Sequence, residues 1–419
     1  MVSKINGNRG GFLKPTILAT LTLLVSTGIR NTVGLFVDPL VRGTVMSLTD
    51  VSMALAIGQF VFGFFQPLGG LLTTKYKTFT VLVSGAACLV AGLLGIKYAN
   101  SFVALVICFG LLSPAGAAAS SFPILMGHIS ESIPDEKKSI SSGLINAGGS
   151  AGQFILAPLI QICIKYYGYY GACVFLAGMT ILSLLPSWFL CRPGNEVRSK
   201  GDIGDARDES TQKGEQKDPR GDLKKEVAVV FRKSSYWILH AGFFACGFHV
   251  AFLATHLPGE TVFFGYDGSF AALCFSILGI CNIAGCVGVG ALGKYFELKN
   301  ILVGLYATRV VSIVIYLAAP KTMLTFILFA AISGSTFGST VPPTGNIAAR
   351  LVRPKYLSTL FGLIFVTHQI GSFFGAWLGG FIMDSTGSFT SVWVIDACLS
   401  LFAAIISLKI SKTREVTTV

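Results

Sequence analysis

The chain has 419 residues, 53% of them hydrophobic and only 12% charged, with 48 Gly, 33 Phe and a mean hydropathy of +0.70. A soluble globular chain carries about a quarter charged residues, so this composition excludes an ordinary cytosolic enzyme. The net charge of +12 would suit a nucleic-acid binder only if the basic residues gathered on one face. They are instead dispersed between apolar runs.

In chain order, apolar stretches cover residues 16–37, 51–72, 79–96, 102–126, 140–164 and 171–190. A second set covers 234–257, 269–292, 300–318, 322–346, 357–382 and 389–408. At 1.5 Å per residue, each is long enough to cross roughly 30 Å of hydrocarbon. The pattern predicts an all-α integral membrane protein of twelve transmembrane helices in two six-helix, pseudo-symmetric bundles. The first stretch follows Lys4, Arg9 and Lys14 but is too long for a signal-peptide core and has no small-residue cleavage site, so it reads as a helix. Nine of the ten cysteines fall inside the apolar runs and Cys191 adjoins one, with no CxxC pair and no His at metal spacing. They read as small apolar fillers, and neither disulfide, metal nor cofactor is expected.

Placing the N-terminus inside puts 26 basic residues in the inner loops and tails and leaves only Arg42, Lys97, Lys165 and Lys321 outside. Without the long central loop the ratio is still 15 to 4. The positive-inside rule therefore predicts that both termini are cytoplasmic. Residues 192–233 carry 11 basic and 9 acidic side chains, and their first two thirds hold almost nothing apolar. Such a segment cannot bury enough surface to offset its ordering entropy, so it reads as a flexible cytoplasmic linker between bundles 1–191 and 234–419, with a regulatory binding segment as the other reading.

The two halves repeat at an offset of 219 residues. Ser120, Ser121 and Pro123 match Ser339, Thr340 and Pro342, and Gly143-Leu144-Ile145 with Gly152 matches Gly362-Leu363-Ile364 with Gly371. Parallel six-helix repeats are the build of one large class of secondary transporters. Several segments carry a more specific likeness: GIRNTVGLFVDPL in the first span, GQFVFGFFQPLGG in the second, SSGLINAGGSAGQFILAP in the fifth, CGFHVAFLATHLP in the seventh, and PPTGNIAARLVRPKYLSTLFGLIFVTHQIGSFFGAWLGG across the tenth and eleventh. On these the chain resembles a major facilitator superfamily transporter of the monocarboxylate-transporter-like, oxalate/formate-antiporter-like bacterial branch. Two departures limit the likeness. The family's loop after the second helix reads GxxxD(R/K)xG(R/K)(R/K), whereas Thr74 stands here at the Asp. An Asp and an Arg four apart in helix 8 of monocarboxylate relatives are matched by Asn282 and Cys286, so lactate or pyruvate specificity is not supported by that motif.

Within the spans, the charged residues read as deeply placed are Arg30, Arg309 and Asp396. An arginine at the bilayer centre costs about 2.5–3.5 kcal/mol on insertion scales, so each needs a partner, a wet cavity or a task. Arg30, beside Asn31, lies on a helix that the resemblance places against the central cavity. Its planar fork suits a carboxylate. Arg309 on helix 9 and Asp396 on helix 12 read as structural or alternative charges, because the resemblance makes those helices peripheral. Gln59, Gln153, Asn282, Asn346, His368 and Gln369 either orient a substrate or join helices. His249 shares a face with His256 seven residues on, and either packs or binds. His249, His368 and Asp38 are the candidates for coupling a proton.

These features favour a monomeric secondary transporter for a small organic anion, working by alternating access, with symport of a proton as an option. The alternative is proton-coupled export of drugs or other metabolites, for which only Asp396 and Asp38 are on offer as acids. A non-transporting membrane sensor would need an appended folded domain. GxxxxGK(S/T) is absent, so ATP-driven transport has no support.

Overall fold

The computed structural model describes residues 12–130, 133–192, 226–353 and 356–411, so most of the expected linker lies outside the described residues. Helix α1 runs Leu13–Asn31 and continues, after a 44° bend, over Val33–Gly43. The others are α2 (Leu48–Lys75), α3 (Thr78–Tyr98), α4 (Phe102–Ser130), α7 (Ser234–Phe263), α8 (Gly268–Leu292), α9 (Leu298–Ala318), α10 (Met323–Leu351), α11 (Leu357–Thr386) and α12 (Thr390–Ser407). Ile140–Leu190 is one apolar unit of 51 residues, about 76 Å at helical rise and so about two and a half times the roughly 30 Å hydrocarbon thickness. It divides at Gly168, where φ is 69° and ψ 178°, a backbone state that glycine adopts without penalty. With α5 (135–167) and α6 (169–190) separated there, the membrane-length helices among the described residues number twelve.

Helix α1 departs from the single straight span expected over 16–37. Thr32 folds its hydroxyl back onto Gly28 O (2.7 Å) and Ile29 O (3.1 Å), competing with the helical ladder, and Gly34 seats directly on the Ala254 carbonyl. Arg30 therefore stands in the last turn before a break, where carbonyl dipoles favour a cation.

The internal repeat extends to packing. Gly28 and Gly152 bring α1 and α5 together so closely that a Cβ on either would overlap the other, and Gly371 and Gly375 do the same against the Phe244 and Phe248 carbonyls between α7 and α11. Helix α4 breaks at Ser120-Ser121 and α10 breaks at Gly338 to Thr340, which are matched positions at the offset of 219. Discontinuous helices at corresponding places in two halves are a mark of transporter binding regions.

Contacts between the first six and last six helices are concentrated away from the termini. There Gly34 meets Ala254, Gly380 meets Ser52, and Thr49 donates from both N and Oγ1 to Asp384 Oδ2 (2.7 and 2.6 Å). Midway, Gln369 Nε2 donates to Gln59 O (2.7 Å), Ser276 Oγ to Phe154 O (3.1 Å) and Asn282 Nδ2 to Ser150 Oγ (2.8 Å). Towards the termini the same four helices are free: a Cβ at Gly70, Gly143, Gly288 or Gly362 would meet nothing within 4 Å. The cleft between the halves opens on the side where α1 begins and α12 ends. On that side, residues 226–231 are helical, with Val230 buried in the core around α7, and Arg353 N donates to Glu226 Oε1 (3.1 Å).

Candidate functional site

Arg30 Nη2 donates to Gln59 Oε1 at 2.5 Å, and its guanidinium lies 4.1 Å from the Phe62 ring centroid. Among the described residues no carboxylate comes within ion-pair distance of it. Arg30 and Gln59 border a pocket with an open volume of about 50 Å³, walled by apolar side chains such as Leu55, Leu93, Phe109 and Leu176. One water needs about 10–15 Å³ on that measure, so the space matches a carboxylate with a short carbon stem. The third polar group on its wall is Ser113, whose hydroxyl has no partner. A cation, an amide and a free hydroxyl in an apolar pocket form the usual layout of a small-molecule site, in which a few polar groups fix orientation.

Sequence reasoning missed Ser113. Its signal is local: it precedes Pro114 and follows a π-helical stretch, Val106–Leu112, which turns the helix face by an extra residue.

The pocket is wired to the other half. Gln59 accepts at its backbone carbonyl from Gln369, Gln369 Oε1 bonds His368 Nδ1 (2.9 Å), and the His368 ring approaches Ser372 Oγ (3.4 Å), which donates to Gly247 O. Arg30, Gln59, Gln369 and His368 thus belong to one polar thread crossing the interface of α2 and α11.

Other candidates are engaged elsewhere. Asn282 donates to Ser150 and accepts from Gly338 N (2.9 Å), tying α8 to α5 and to the break in α10. Gln153 Nε2 reaches Phe275 O (3.5 Å). Asp38 pairs with Arg42 (2.9 Å) near the end of the bent α1, at the border of a cavity of about 350 Å³ between the halves. His256 Nε2 bonds Ala376 O (2.7 Å), Asn346 is exposed, and Asn31 is half-buried at the bend. Arg309 is fully buried: Nη2 donates to Thr336 O (2.5 Å) and Phe337 O (3.3 Å), capping the carbonyls that the break in α10 leaves without helical partners. Asp396 sits 2.6 Å from His249 Nδ1, both side chains fully buried.

Sequence reasoning missed one buried acid: α7 continues through Pro258 to Phe263 and places Glu260, in its last turn, inside the protein. Trp393 Nε1 donates to both its oxygens (3.0 and 2.9 Å). Lys321, in the loop after α9, is held below its ordinary value by burial, with the Glu260 charge acting in the opposite sense.

The model of the Major Facilitator Superfamily matches residues 18–322 and 289–418. The chain belongs to that family. Among curated relatives, Monocarboxylate transporter 12 of Mus musculus is 24% identical over 357 residues, covering 81% of this chain and 73% of that protein. The Oxalate:formate antiporter of Oxalobacter formigenes is 24% identical over 405 residues, covering 95% and 90%. In fold, the chain superposes on a D-xylose-proton symporter with a TM-score of 0.73 at 12% identity, covering 97% of this chain and all of that one. It superposes on the nucleoside transporter NupG with 0.75 at 13%, covering 96% and 99%. This superfamily member is thus a multi-pass membrane transporter of small molecules and not an enzyme.

Proposed function

We propose that the chain moves a small carboxylate across the membrane by alternating access, with Arg30 as the cation that receives it. The observation that carries this reading is an intramembrane guanidinium without an acidic partner, facing a carboxylate-sized pocket whose remaining polar groups, Gln59 and Ser113, can hydrogen-bond an oxyanion. A planar fork gives a carboxylate two parallel charge-assisted bonds in an apolar setting where such bonds are strong. The names of the relatives, monocarboxylate transporters and an oxalate:formate antiporter, agree with that chemistry.

The six-helix bundles, 1–191 and 234–419, rock about this region, and 192–233 joins them as a cytoplasmic linker. The termini are cytoplasmic in a bacterial inner membrane, so the cleft described above faces the cytoplasm and the contact of Gly34 with Ala254 seals the outer side. His368 and Gln369 pass the occupancy of the Arg30 pocket to the second bundle. A proton accompanies the anion, with Asp38, His249 and His368 as candidate carriers. The test is uptake and counterflow in proteoliposomes across radiolabelled formate, oxalate, lactate and pyruvate, with and without a pH gradient. Absence of exchange for every carboxylate by a folded protein sinks the reading.

A further inference from the structure

The offset of 219 that relates the halves places His249 in the register of Arg30. The registration is anchored on both sides, since Gly28 aligns with Gly247 and Pro39 with Pro258. The same offset sets Asp396 of α12 opposite Ala177 of α6, next to Leu176 on the Arg30 pocket wall. The first half thus presents a permanent cation beside a pocket. The second half presents, at the matched place, an imidazole and a carboxylate closed on each other at 2.6 Å.

Two atoms of that pair are open. His249 Nε2 and Asp396 Oδ1 have no hydrogen-bond partner, and neither does Ser400 Oγ one turn along α12, though all three residues are fully buried. A buried polar group without a partner is costly, so a pair with open valences on both members is a poor structural clamp. It is well suited to holding a proton.

We propose that the His249–Asp396 pair is the proton-binding site of this transporter, a proposal that rests on the carboxylate reading above. With Asp396 ionised, Nδ1 of a neutral imidazole donates to Oδ2, and Nε2 keeps its lone pair. The pair then carries one negative charge. A proton arriving from the cleft adds to Nε2 and gives imidazolium and carboxylate with no net charge; it leaves by the same atom.

Charge counting turns this into coupling. In the empty carrier, Arg30 and the deprotonated pair cancel. With anion and proton both bound, the anion cancels Arg30 and the protonated pair is neutral. An anion alone leaves the interior one charge negative, and a proton alone leaves it one charge positive. An uncompensated charge in a water-poor interior is strongly disfavoured, so only the empty and the doubly loaded forms cross between orientations readily. Anion and proton must then raise each other's affinity by the same factor.

The titratable and charged groups facing the interior on neighbouring helices make their contacts away from this pair. On α7, Cys246 contacts Thr340 Oγ1 (3.0 Å), His256 bonds Ala376 O, and Glu260 is held by Trp393. On α9, Arg309 caps α10, the Tyr306 hydroxyl donates to Gly242 O (2.8 Å), and the Tyr316 ring stacks on Phe329. On α11, His368 is bonded to Gln369. None of these closes on Nε2 of His249.

The experiment uses the full chain in proteoliposomes with radiolabelled formate, oxalate, lactate and pyruvate as probes. Asp396→Asn, which leaves the anion-loaded form neutral, should keep counterflow within about twofold of wild type and lose at least tenfold of the accumulation driven by a pH gradient, whereas His249→Gln, which leaves the loaded form one charge negative, should lose at least tenfold of both. Wild-type pH-driven accumulation in both variants overturns the assignment, as does equal loss of counterflow in folded variants. A wild-type protein that exchanges a carboxylate but ignores the pH gradient overturns this inference alone. One that exchanges none overturns the transport reading as well. If neither variant reaches the membrane, infrared difference spectra of wild type carrying ring-labelled histidine decide the matter. Addition of the exchanged carboxylate must then convert an imidazole band to imidazolium, and an unchanged spectrum overturns the proposal.

Discussion

Arg30 and Arg309 are the two arginines read from the sequence as deep within spans, and by insertion cost they look alike. Their surroundings separate them. Arg309 is sealed among Thr336 O, Phe337 O and the Tyr306 ring, and its Nη2 is committed to the open end of a broken helix. Arg30 spends one donor on a side-chain amide that can rotate away, and the rest of its fork borders an apolar pocket. The cost of burying a cation identifies residues that need a reason, while the partner set identifies the reason.

The sharpest way to break this contrast is to remove each charge. Arg30→Gln should lower carboxylate transport by about 100-fold with normal membrane insertion, because charge-assisted bonds contribute about 1.5–3 kcal/mol each. Arg30→Lys, which keeps charge but loses the fork, should fall between. Arg309→Gln should instead lower the folded yield and the melting temperature, since it uncovers two carbonyls in the interior at about 1–3 kcal/mol apiece. Size-exclusion profiles and counterflow on matched samples check both. A folded, inactive Arg309→Gln beside an active Arg30→Gln would reverse the assignment.

A finer test imports the arrangement of the second half into the first. Ala177→Asp puts an acid in the register of Asp396, where it should neutralise Arg30 and raise the KM for the transported carboxylate about tenfold, with the protein still folded. Unchanged KM would show that the register relation does not extend to side-chain reach. The smallest effect is expected from Ser113→Ala: about three- to tenfold in KM and little in maximal rate, as for loss of one neutral hydrogen bond of about 1 kcal/mol. No change in KM would remove Ser113 from the site.

The spans, the repeat and the family were legible because an apolar run of about twenty residues and a fixed offset are one-dimensional signals. The pairings were not. Nothing in sequence spacing brings His249 to Asp396, 147 positions away, or separates Arg309 the cap from Arg30 the candidate ligand. Glu260 was missed because Pro258-Gly259 looks like the end of a helix, whereas α7 runs through both and buries the acid against Trp393. Gln59 was legible as a candidate, but not that its side chain and its carbonyl serve different halves.

That division at Gln59 bears on how such a carrier can change over generations. Gln369 holds the backbone oxygen of position 59, which every residue supplies, while Arg30 holds the side chain, which only a few can supply. Substitution at position 59 can therefore retune what the pocket accepts while the tie between α2 and α11 persists. Recognition and mechanical linkage are inherited through different atoms of one residue, leaving the first free to drift while the second stays fixed.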